Sequence, residues 1–260
     1  MKKREIDFKR YSSIKIGPKV DVWIIEREDE IRDDFFIIGG ANNLLVSDNP
    51  PPLAMLSKKF KYIEIKDDKL FVGAATPSGV LYSFCKKNNI GGFEFLQKLP
   101  GTMGGMVKMN AGLKEYEIFN NLIAVKTKEG YIKKDEIDYG YRYCNLKDVI
   151  FEAVFKIDRG FSEDMSVFFK NLRSNQPKEP SAGSCFKNPK GDYAGRLIES
   201  VNLKGKRVGD AAFSEIHANF LVNLKNATFK DAISLIEEAE KRVFEKFSIR
   251  LEREIKVLSI

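Results

Sequence analysis

The sequence predicts an α+β protein with a strand-rich first part and a second part that combines helices with strands. Up to Ile157, short apolar runs separated by turn-forming residues recur, which is typical of strands and hairpins. After Gly160 the composition changes, and apolar residues take the spacing of amphipathic helices. We therefore expect a domain boundary near residue 160.

Composition narrows the class of protein. Hydrophobic residues make up 43% of the 260 residues and charged residues 31%, which is a globular balance without a membrane-length apolar run. The segment from Met1 to Phe8 lacks the apolar stretch of a secretory signal, so we expect a cytoplasmic protein. The cysteines Cys85, Cys144 and Cys185 form no CxxC pair, which disfavours a disulfide framework and a zinc site.

The net charge of the chain says less than its composition about which molecules the protein binds. The net charge of +7 is spread along the chain, and no nucleic-acid recognition module accompanies it. Such a surface suits small anionic ligands, and we expect no nucleic-acid partner. Because the chain lacks both a membrane-length apolar run and a CxxC pair, we expect no membrane or metal partner either. The single histidine, His217, excludes any mechanism that needs two imidazoles.

The first part is predicted to consist mainly of short strands. Two pairs of strands form hairpins, with turns at residues 66–69 and 128–130. A helix begins at Ser78, ends at Asn88-Asn89 and buries one apolar face. The predicted strands are 14–16, 20–26, 35–38, 62–65, 70–75, 122–125, 131–133 and 149–157.

The second part is predicted to add two helices and two strands. The first helix starts at Ser162, and the second starts at Thr228, where Asp231 completes a capping-box pattern. The strands are 216–224 and 249–258, and alternation in the latter places Glu252, Glu254 and Lys256 on one face. The buried stripe of the first helix consists of Met165, Phe168, Phe169 and Leu172.

Two glycine-rich stretches, 39–48 and 99–112, are candidates for a ligand site. Glycines allow close backbone approach and form concave groups of N–H donors for phosphate oxygens. For the 99–112 stretch, a multiple turn between strands is an equally good explanation. The dinucleotide fingerprint G-x-G-x-x-G and the Walker lysine motif are both missing, so two separate turns that clasp a pyrophosphate-bearing ligand fit better.

Three single residues are candidates for chemistry, although each has a structural explanation. Ser184 stands in Ala-Gly-Ser-Cys rather than in the G-x-S-x-G elbow of hydrolases, and a turn serine is the simpler interpretation. Arg142 lies among tyrosines that can pack against it. Glu254 on its own is most simply a solvated strand residue.

Taken together, six motifs in order resemble the UDP-N-acetylenolpyruvylglucosamine reductase family, and the resemblance covers nearly the whole chain. The absence of an inserted loop before the C-terminal helix resembles the shorter subclass of that family. The motifs are Gly39-Gly-Ala-Asn-Asn-Leu-Leu45, Pro100-Gly-Thr-Met-Gly-Gly105 with Met109-Asn-Ala-Gly112, Tyr141-Arg142, Gly183-Ser-Cys-Phe-Lys-Asn-Pro189, Ser214-Glu-Ile-His-Ala-Asn-Phe220 and Leu251-Glu-Arg-Glu-Ile255.

The resemblance implies a fold and a set of domains. The fold is α+β, with a two-subdomain FAD-binding domain of the vanillyl-alcohol-oxidase/PCMH type and a C-terminal α+β substrate domain. The FAD-binding domain would cover residues 1–160, with a break between subdomains near 50–57. The substrate domain would cover residues 161–260, and its last strand would return to the first subdomain.

The resemblance also implies an activity. NADPH would reduce FAD, and the flavin would reduce the enolpyruvyl ether of UDP-N-acetylglucosamine enolpyruvate to UDP-N-acetylmuramate in peptidoglycan synthesis. Ser184 would be the proton donor, and Arg142 and Glu254 would flank the substrate carboxylate. The expected partners are the UDP-sugar and NADPH alone, with the protein as a monomer.

By the same resemblance, two further sets of residues contact ligands. The substrate would meet Tyr141, Lys187 and Asn188. FAD would be held by Gly39, Gly40, Ala41, Asn42, Asn43, Leu44, Pro100, Gly101, Thr102, Gly104, Gly105, Asn110 and Gly112.

The chain departs from the family pattern around the cofactor. Ala41-Asn42 stands where the usual turn has Gly-Ser, Gln97-Lys98 stands where a glycine is common, and Cys144 replaces a serine. These departures concern individual FAD contacts and not the reaction. Two rival functions stay open, another FAD-dependent oxidoreductase of this fold acting on a sugar or alcohol, and a non-catalytic protein that binds nucleotide sugars.

Overall fold

The computed structural model describes residues 1–260, and the chain forms two compact units. Each unit is assembled from separate stretches of the sequence, so the boundary between them is crossed several times. The first unit consists of Met1–Arg4, Val22–Gly40 and Pro52–Ser174, and the second consists of Glu5–Asp21, Ala41–Pro51 and Asn175–Ile260.

Most of the strands are short, and they group into several small sheets. In chain order they are β1 (Lys2–Asp7), β2 (Lys19–Ile25), β3 (Phe36–Ile37), β4 (Leu44–Val46), β5 (Leu53–Leu56), β6 (Ile63–Lys66), β7 (Lys69–Gly73), β8 (Ile90–Gly91), β9 (Gly112–Leu113), β10 (Tyr116–Glu117), β11 (Leu122–Thr127), β12 (Gly130–Lys133), β13 (Tyr139–Gly140), β14 (Tyr143–Cys144), β15 (Glu152–Lys156), β16 (Asp158–Arg159), β17 (Ser181–Ser184), β18 (Arg207–Val208), β19 (Ala211–Phe213), β20 (Phe220–Asn223) and β21 (Lys256–Leu258).

Six α-helices lie between these strands, and short 3-10 turns add to them. The helices are α1 (Phe8–Tyr11), α2 (Ser78–Lys87), α3 (Met103–Lys108), α4 (Glu163–Leu172), α5 (Ala194–Ser200) and α6 (Phe229–Phe247). No helix is both long enough and apolar enough to cross a membrane.

The first unit is organised around an antiparallel sheet of five strands in the order β12-β11-β15-β7-β6. Both predicted hairpins, β6–β7 and β11–β12, are present in it, which confirms the turn assignments. Its core is rich in phenylalanine, and Phe93 and Phe155 meet edge to face with ring centroids 5.4 Å apart. Helices α2, α3 and α4 contribute buried side chains to the same core.

The second unit contains an antiparallel sheet in the order β17-β20-β19-β18, against which α6 packs. The capping box predicted at the start of α6 is present, because Thr228 Oγ1 accepts from Asp231 N and Asp231 Oδ2 accepts from Thr228 N. In addition, β21 pairs with β4 in parallel, with Lys256 opposite Leu44. Buried residues of α5 and α6 complete this core.

Three predicted elements differ from the structure. Residues 14–16 are not a strand, because Lys15 has a φ of +59° and Ile14 and Ile16 are buried in a turn. The strand predicted at 216–224 is only β20, since Ser214 Oγ accepts from Ile216 N and forms a turn before it.

The predicted strand at 249–258 is reduced to β21, and its alternation is not kept. Leu251 and Ile255 are both buried, whereas Arg253 between them turns to Glu240 and donates to both carboxylate oxygens, through Nε at 2.5 Å and Nη2 at 2.7 Å.

The buried apolar face of α4 is narrower than predicted, because Phe169 is buried but Phe168 is 38% exposed. The predicted division at residue 160 concerns ligand-binding domains and stays a prediction.

Candidate active site

Two glycine-rich turns meet in the first unit. Gly39 follows β3, and Thr102 directly precedes α3. A Cβ atom added to Gly39 would lie 2.2 Å from Thr102 Oγ1, so only glycine allows this approach. Of the other predicted cofactor residues, Gly40, Pro100 and Gly101 lie in the same two turns, and Gly105 lies within α3.

The turn before α3 is anchored to the segment between β7 and α2. Met103 N donates to Thr76 O and Gly104 N to Ala74 O, each at 2.9 Å. A Cβ atom at Gly104 would lie 3.1 Å from the Ala74 Cβ, which explains a glycine there by packing alone. Two of the first N–H donors of α3 are therefore used inside the chain and do not face a ligand.

Gln97, which belongs to the Gln97-Lys98 pair that departs from the family pattern, has a buried side-chain oxygen. Its Oε1 atom is buried and has no hydrogen-bond partner within the chain. The next residue, Lys98, has a φ of +57°, a conformation that glycine adopts more easily. Since a buried acceptor without a donor is rare in folded proteins, this oxygen is a candidate contact for a ligand donor.

Arg142 lies at the turn between β13 and β14, where its φ is +53°. Its Nη2 donates to Gly112 O at 2.7 Å and its Nη1 to Asn110 O at 3.4 Å. Glu117 Oε1 lies 3.6 Å from Nη1, and the Tyr141 ring lies 5.0 Å from the guanidinium carbon. Backbone strain of this kind costs roughly 1–3 kcal/mol and clusters at functional sites.

Asn110 and Gly112, predicted to hold cofactor, have clear structural roles. Asn110 Nδ2 donates to Glu117 Oε2 at 2.7 Å and to Gly140 O at 3.0 Å, so both amide protons are used inside the protein. A Cβ atom at Gly112 would lie 2.3 Å from Tyr116 O across the β9–β10 pair. Both residues therefore shape the frame around Arg142, and a direct cofactor contact of either stays a prediction.

The second unit contains the rest of the first glycine-rich turn. Ala41 is buried with a φ of +49°, and Asn42 Nδ2 donates to Ser13 Oγ at 2.6 Å. Asn43 Nδ2 donates to Glu254 O at 2.8 Å, and Leu44 begins β4 with its side chain buried. Hydrogen bonding therefore ties this turn to the segment that carries Glu254.

Ser184 and Glu254 are brought close by the backbone of Cys185. Gly183 has a φ of +80°, and the ladder between β17 and β20 shifts register just before Ser184. The carbonyl of Cys185 then accepts from Glu254 N at 2.9 Å and from Ile255 N at 3.2 Å. The segments that carry Ser184 and Glu254, which are distant in the sequence, are therefore joined by backbone hydrogen bonds in the second unit.

The neighbours of Ser184 are held in place by contacts of their own. Burial raises the pKa of the Cys185 thiol, which favours its protonated form and a packing role. Lys187 Nζ lies 2.6 Å from Glu252 Oε1, and Asn188 Oδ1 accepts from Ala194 N at 3.1 Å. Lys187 and Asn188 therefore have protein partners already, and their contact with substrate stays a prediction.

Arg173 is a residue that the sequence reasoning did not single out. It follows α4, and its Nε is buried without a hydrogen-bond partner. The only signal in the sequence is a basic residue at a helix C-terminus, which is common and carries no functional meaning.

Comparisons with known proteins agree over the whole chain. A family model described as UDP-N-acetylenolpyruvoylglucosamine reductase, C-terminal domain, matches residues 176–258. The UDP-N-acetylenolpyruvoylglucosamine reductase of Campylobacter jejuni (strain RM1221) is 49% identical over 259 residues, covering 97% of this chain and 99% of its own. That of Helicobacter hepaticus (strain ATCC 51449 / 3B1) is 49% identical over 257 residues, covering 97% and 98%.

A solved structure agrees with these relatives. The crystal structure of the UDP-N-acetylenolpyruvylglucosamine reductase from Thermus caldophilus matches with a TM-score of 0.87 and 32% identity, covering 100% of both chains. The fold class that the resemblance implied is therefore confirmed. Since relatives close to 50% identical align over almost the full length, the chain belongs to the UDP-N-acetylenolpyruvoylglucosamine reductase family and is an oxidoreductase.

Proposed function

We propose that this protein binds FAD and uses NADPH to reduce UDP-N-acetylglucosamine enolpyruvate to UDP-N-acetylmuramate in peptidoglycan synthesis. The observation that carries the proposal is the adjacency of Ser184 and Glu254 through the Cys185 carbonyl. A structural serine needs no glutamate beside it, whereas a proton donor needs polar groups that fix the substrate next to it.

The residues around the two glycine-rich turns fit FAD. The buried Gln97 Oε1 needs a donor, and FAD offers ring N–H and ribityl O–H groups. Gly39 has no side chain and lies against the Thr102 side chain, which brings the two turns close together. We propose that the predicted turns at 39–44 and 100–105 hold FAD, which supplies the hydride once NADPH has reduced it.

Arg142 is proposed to bind the carboxylate of the enolpyruvyl group. The Arg142 side chain is only 13% exposed and its guanidinium is oriented by two backbone carbonyls, so it is positioned before the substrate arrives. Addition of hydride to the terminal carbon leaves an electron pair that spreads into that carboxylate. A positioned donor to developing negative charge is typically worth about 3–4 kcal/mol.

Ser184 is proposed to give its hydroxyl proton to the carbon next to the carboxylate. The electron pair left by hydride addition takes the proton, and the serine oxygen recovers a proton from solvent. Glu254, beside Ser184, would flank the same carboxylate, and Tyr141, Lys187 and Asn188 would contact the remainder of the substrate. A positioned proton donor contributes typically about 10²- to 10⁴-fold in rate.

Visible spectroscopy tests the proposal. Purified protein supplied with FAD should be yellow, should bleach anaerobically with NADPH, and should regain its colour when UDP-N-acetylglucosamine enolpyruvate is added. Arg142→Ala should slow the last step, whereas Arg159→Ala, which removes an exposed arginine of the same unit, should not.

Three outcomes would contradict this function. A protein that takes up no FAD would point to a non-catalytic binding protein. A flavin that bleaches with a sugar or alcohol instead of NADPH would point to an oxidase of the same fold. An Arg142→Ala protein that reoxidises at the normal rate would remove Arg142 from the site.

The proposal also limits the partners. Both substrates are soluble nucleotides, so the reaction needs neither nucleic acid nor a membrane, and we place it in the cytoplasm where NADPH is available. A monomer contains every residue named for the reaction.

A further inference from the structure

Arg253 and Glu240 form an ion pair with two hydrogen bonds, directly before Glu254 in the chain. Arg253 Nε donates to Glu240 Oε1 at 2.5 Å, and its Nη2 donates to Glu240 Oε2 at 2.7 Å. Glu240 belongs to α6, so the pair ties the segment 251–255 to that helix. The two side chains are 32% and 28% exposed. An ion pair at such exposure adds little stability, but its two parallel hydrogen bonds fix the direction of the guanidinium.

The segment 251–255 is joined to the strand of Ser184 by few backbone contacts. Arg253 and Phe186 form an isolated antiparallel bridge outside the named strands. The amide of Glu254 donates to the Cys185 carbonyl at 2.9 Å, and the same carbonyl accepts from the next amide of the segment at 3.2 Å. Because two neighbouring amides share one carbonyl, the backbone alone specifies weakly which residue lies opposite which.

The strand that carries Ser184 has an anchor of its own on another part of the second unit. Phe186 N donates to Asn219 Oδ1 at 2.9 Å, and Asn219 Nδ2 donates to Phe186 O at 2.8 Å. Cys185 N donates to Asn219 O at 2.7 Å, and Asn219 is buried. This strand therefore keeps its place without the ion pair, and the position of the segment 251–255 along it is what has to be set.

Charge selects one such position. Glu252 and Glu254 stand on either side of Arg253 in the sequence, so a shift of one residue in either direction would bring a carboxylate to Glu240. Two carboxylates at that distance repel each other, whereas Arg253 and Glu240 attract. Fixing a register is the best-attested use of an ion pair that adds little stability.

We propose that Arg253 and Glu240 are positioning residues of the proposed reaction, and that their ion pair sets the register in which Glu254 lies opposite the strand of Ser184. Arg253 and Glu240 act on the reaction only through Glu254. A displaced Glu254 would no longer flank the substrate carboxylate in the geometry that the reaction needs. This inference rests on the proposed function, because that function gives Glu254 its role.

The test changes the two ends of the ion pair separately and then together. Arg253→Met removes one charge and keeps a long side chain, and Glu240→Gln removes the other charge and keeps the shape. Arg253→Glu puts two carboxylates together, and the double variant Arg253→Glu/Glu240→Arg restores an ion pair with the charges exchanged. Arg242→Met is the matched control, because Arg242 lies on the same helix and pairs with Glu238.

Two readouts are compared in the FAD-loaded enzyme. Hydrogen exchange followed by NMR reports the Glu254 amide, which should exchange about tenfold faster in Arg253→Met. Stopped-flow absorbance reports the flavin, and reoxidation by UDP-N-acetylglucosamine enolpyruvate should slow by about 10²-fold, the usual effect of displacing a reacting group by about 1 Å. Reduction by NADPH should stay within a fewfold of the wild type. Arg242→Met should leave all three rates unchanged.

Rescue separates a positioning role from a loss of packing. Arg253→Glu should be more impaired in reoxidation than Arg253→Met, because it adds repulsion to the loss of attraction. The double variant should recover part of the reoxidation rate, since the exchanged charges attract each other again. A defect of packing alone would not be repaired by exchanging the charges. Thermal unfolding checks that each variant is folded.

Four results would overturn the inference: a folded Arg253→Met with the wild-type exchange rate at Glu254, the same variant with the wild-type reoxidation rate, equal slowing of both half-reactions, or a double variant no better than Arg253→Glu. Should Arg253→Met fail to fold, Glu240→Gln takes its place and the same comparisons apply. A wild-type protein that binds no FAD would overturn the proposed function, and the exchange comparison would still show whether the ion pair holds Glu254 in place.

Discussion

Single residues in the left-handed backbone region mark much of the candidate site. Ala41 and Arg142 have φ values of +49° and +53°, and neither residue type adopts this conformation without cost. At Arg142 the result is a guanidinium held by two carbonyls of the same unit. The conformation therefore sets the direction of the side chain, which a residue in ordinary extended backbone at that position would not do.

Ser184→Ala should separate the two halves of the proposed reaction. Reduction of the flavin by NADPH does not use the hydroxyl and should persist, whereas reoxidation by the enolpyruvyl substrate should slow by about 10²- to 10⁴-fold. Stopped-flow absorbance of the flavin measures both steps. Ser181→Ala, on the same strand, is the matched control and should leave both rates within a fewfold of the wild type.

Equal losses in both half-reactions would contradict the role of Ser184. They would indicate a disturbed fold or a different part in the chemistry. A normal reoxidation rate in Ser184→Ala would assign the proton to another donor.

Among the helices and strands, the correct predictions are those that rest on residues close together in the sequence. The hairpins β6–β7 and β11–β12 and the start of α6 follow from neighbouring residues, namely turn residues and a capping box, and all are present. The strand predicted at 249–258 failed because Arg253 turns to Glu240, a partner on another element that no local pattern reveals.

The same distinction applies to the candidate site. The motif residues could be found in the sequence, because each belongs to a recognisable short pattern. Their adjacency could not, since the segments that carry Ser184 and Glu254 are joined through the backbone carbonyl of Cys185. Contacts of this kind depend on tertiary packing, which has no period in the sequence.

Thr228→Ala should weaken the start of α6. The change removes the hydroxyl that accepts from Asp231 N at 3.1 Å, and loss of such a cap typically costs about 1 kcal/mol. Chemical denaturation measures the free energy of unfolding. Ser234→Ala, whose hydroxyl bonds to Lys230 O within the same helix, should change it by less than about 0.5 kcal/mol. An equal loss in both variants would mean that the cap is not the reason.

For the whole molecule, the single histidine gives a clear pH dependence. Burial, together with the charge of Lys204, lowers the pKa of His217, and its Nδ1 accepts from Asn219 N at 3.2 Å. The fold therefore favours the neutral ring, while the unfolded chain takes up a proton near pH 6.5. The contribution of His217 to stability is therefore fully present above pH 6.5. It is lost as the pH falls from that value to the lower pKa that His217 has in the folded protein.

We expect the denaturant concentration at the unfolding midpoint to decrease as the pH is lowered from about 7.5 to about 5.5. In His217→Asn the midpoint should depend less on pH over the same range. Carboxylates titrate mainly below this window, so they do not obscure the result. A midpoint that rises on acidification, or a slope that the variant leaves unchanged, would show that another group controls it.

The parallel pairing of β21 with β4 has a consequence for synthesis. Lys256 lies opposite Leu44, so β4 leaves the ribosome more than two hundred residues before its partner strand exists. The apolar residues Leu44–Val46, which are buried in the folded chain, therefore lack their partner strand while most of the chain is made. Because contacts of such long range form slowly and chains fold as they emerge, we expect the first unit to fold before the second, which cannot be completed until β21 has been made.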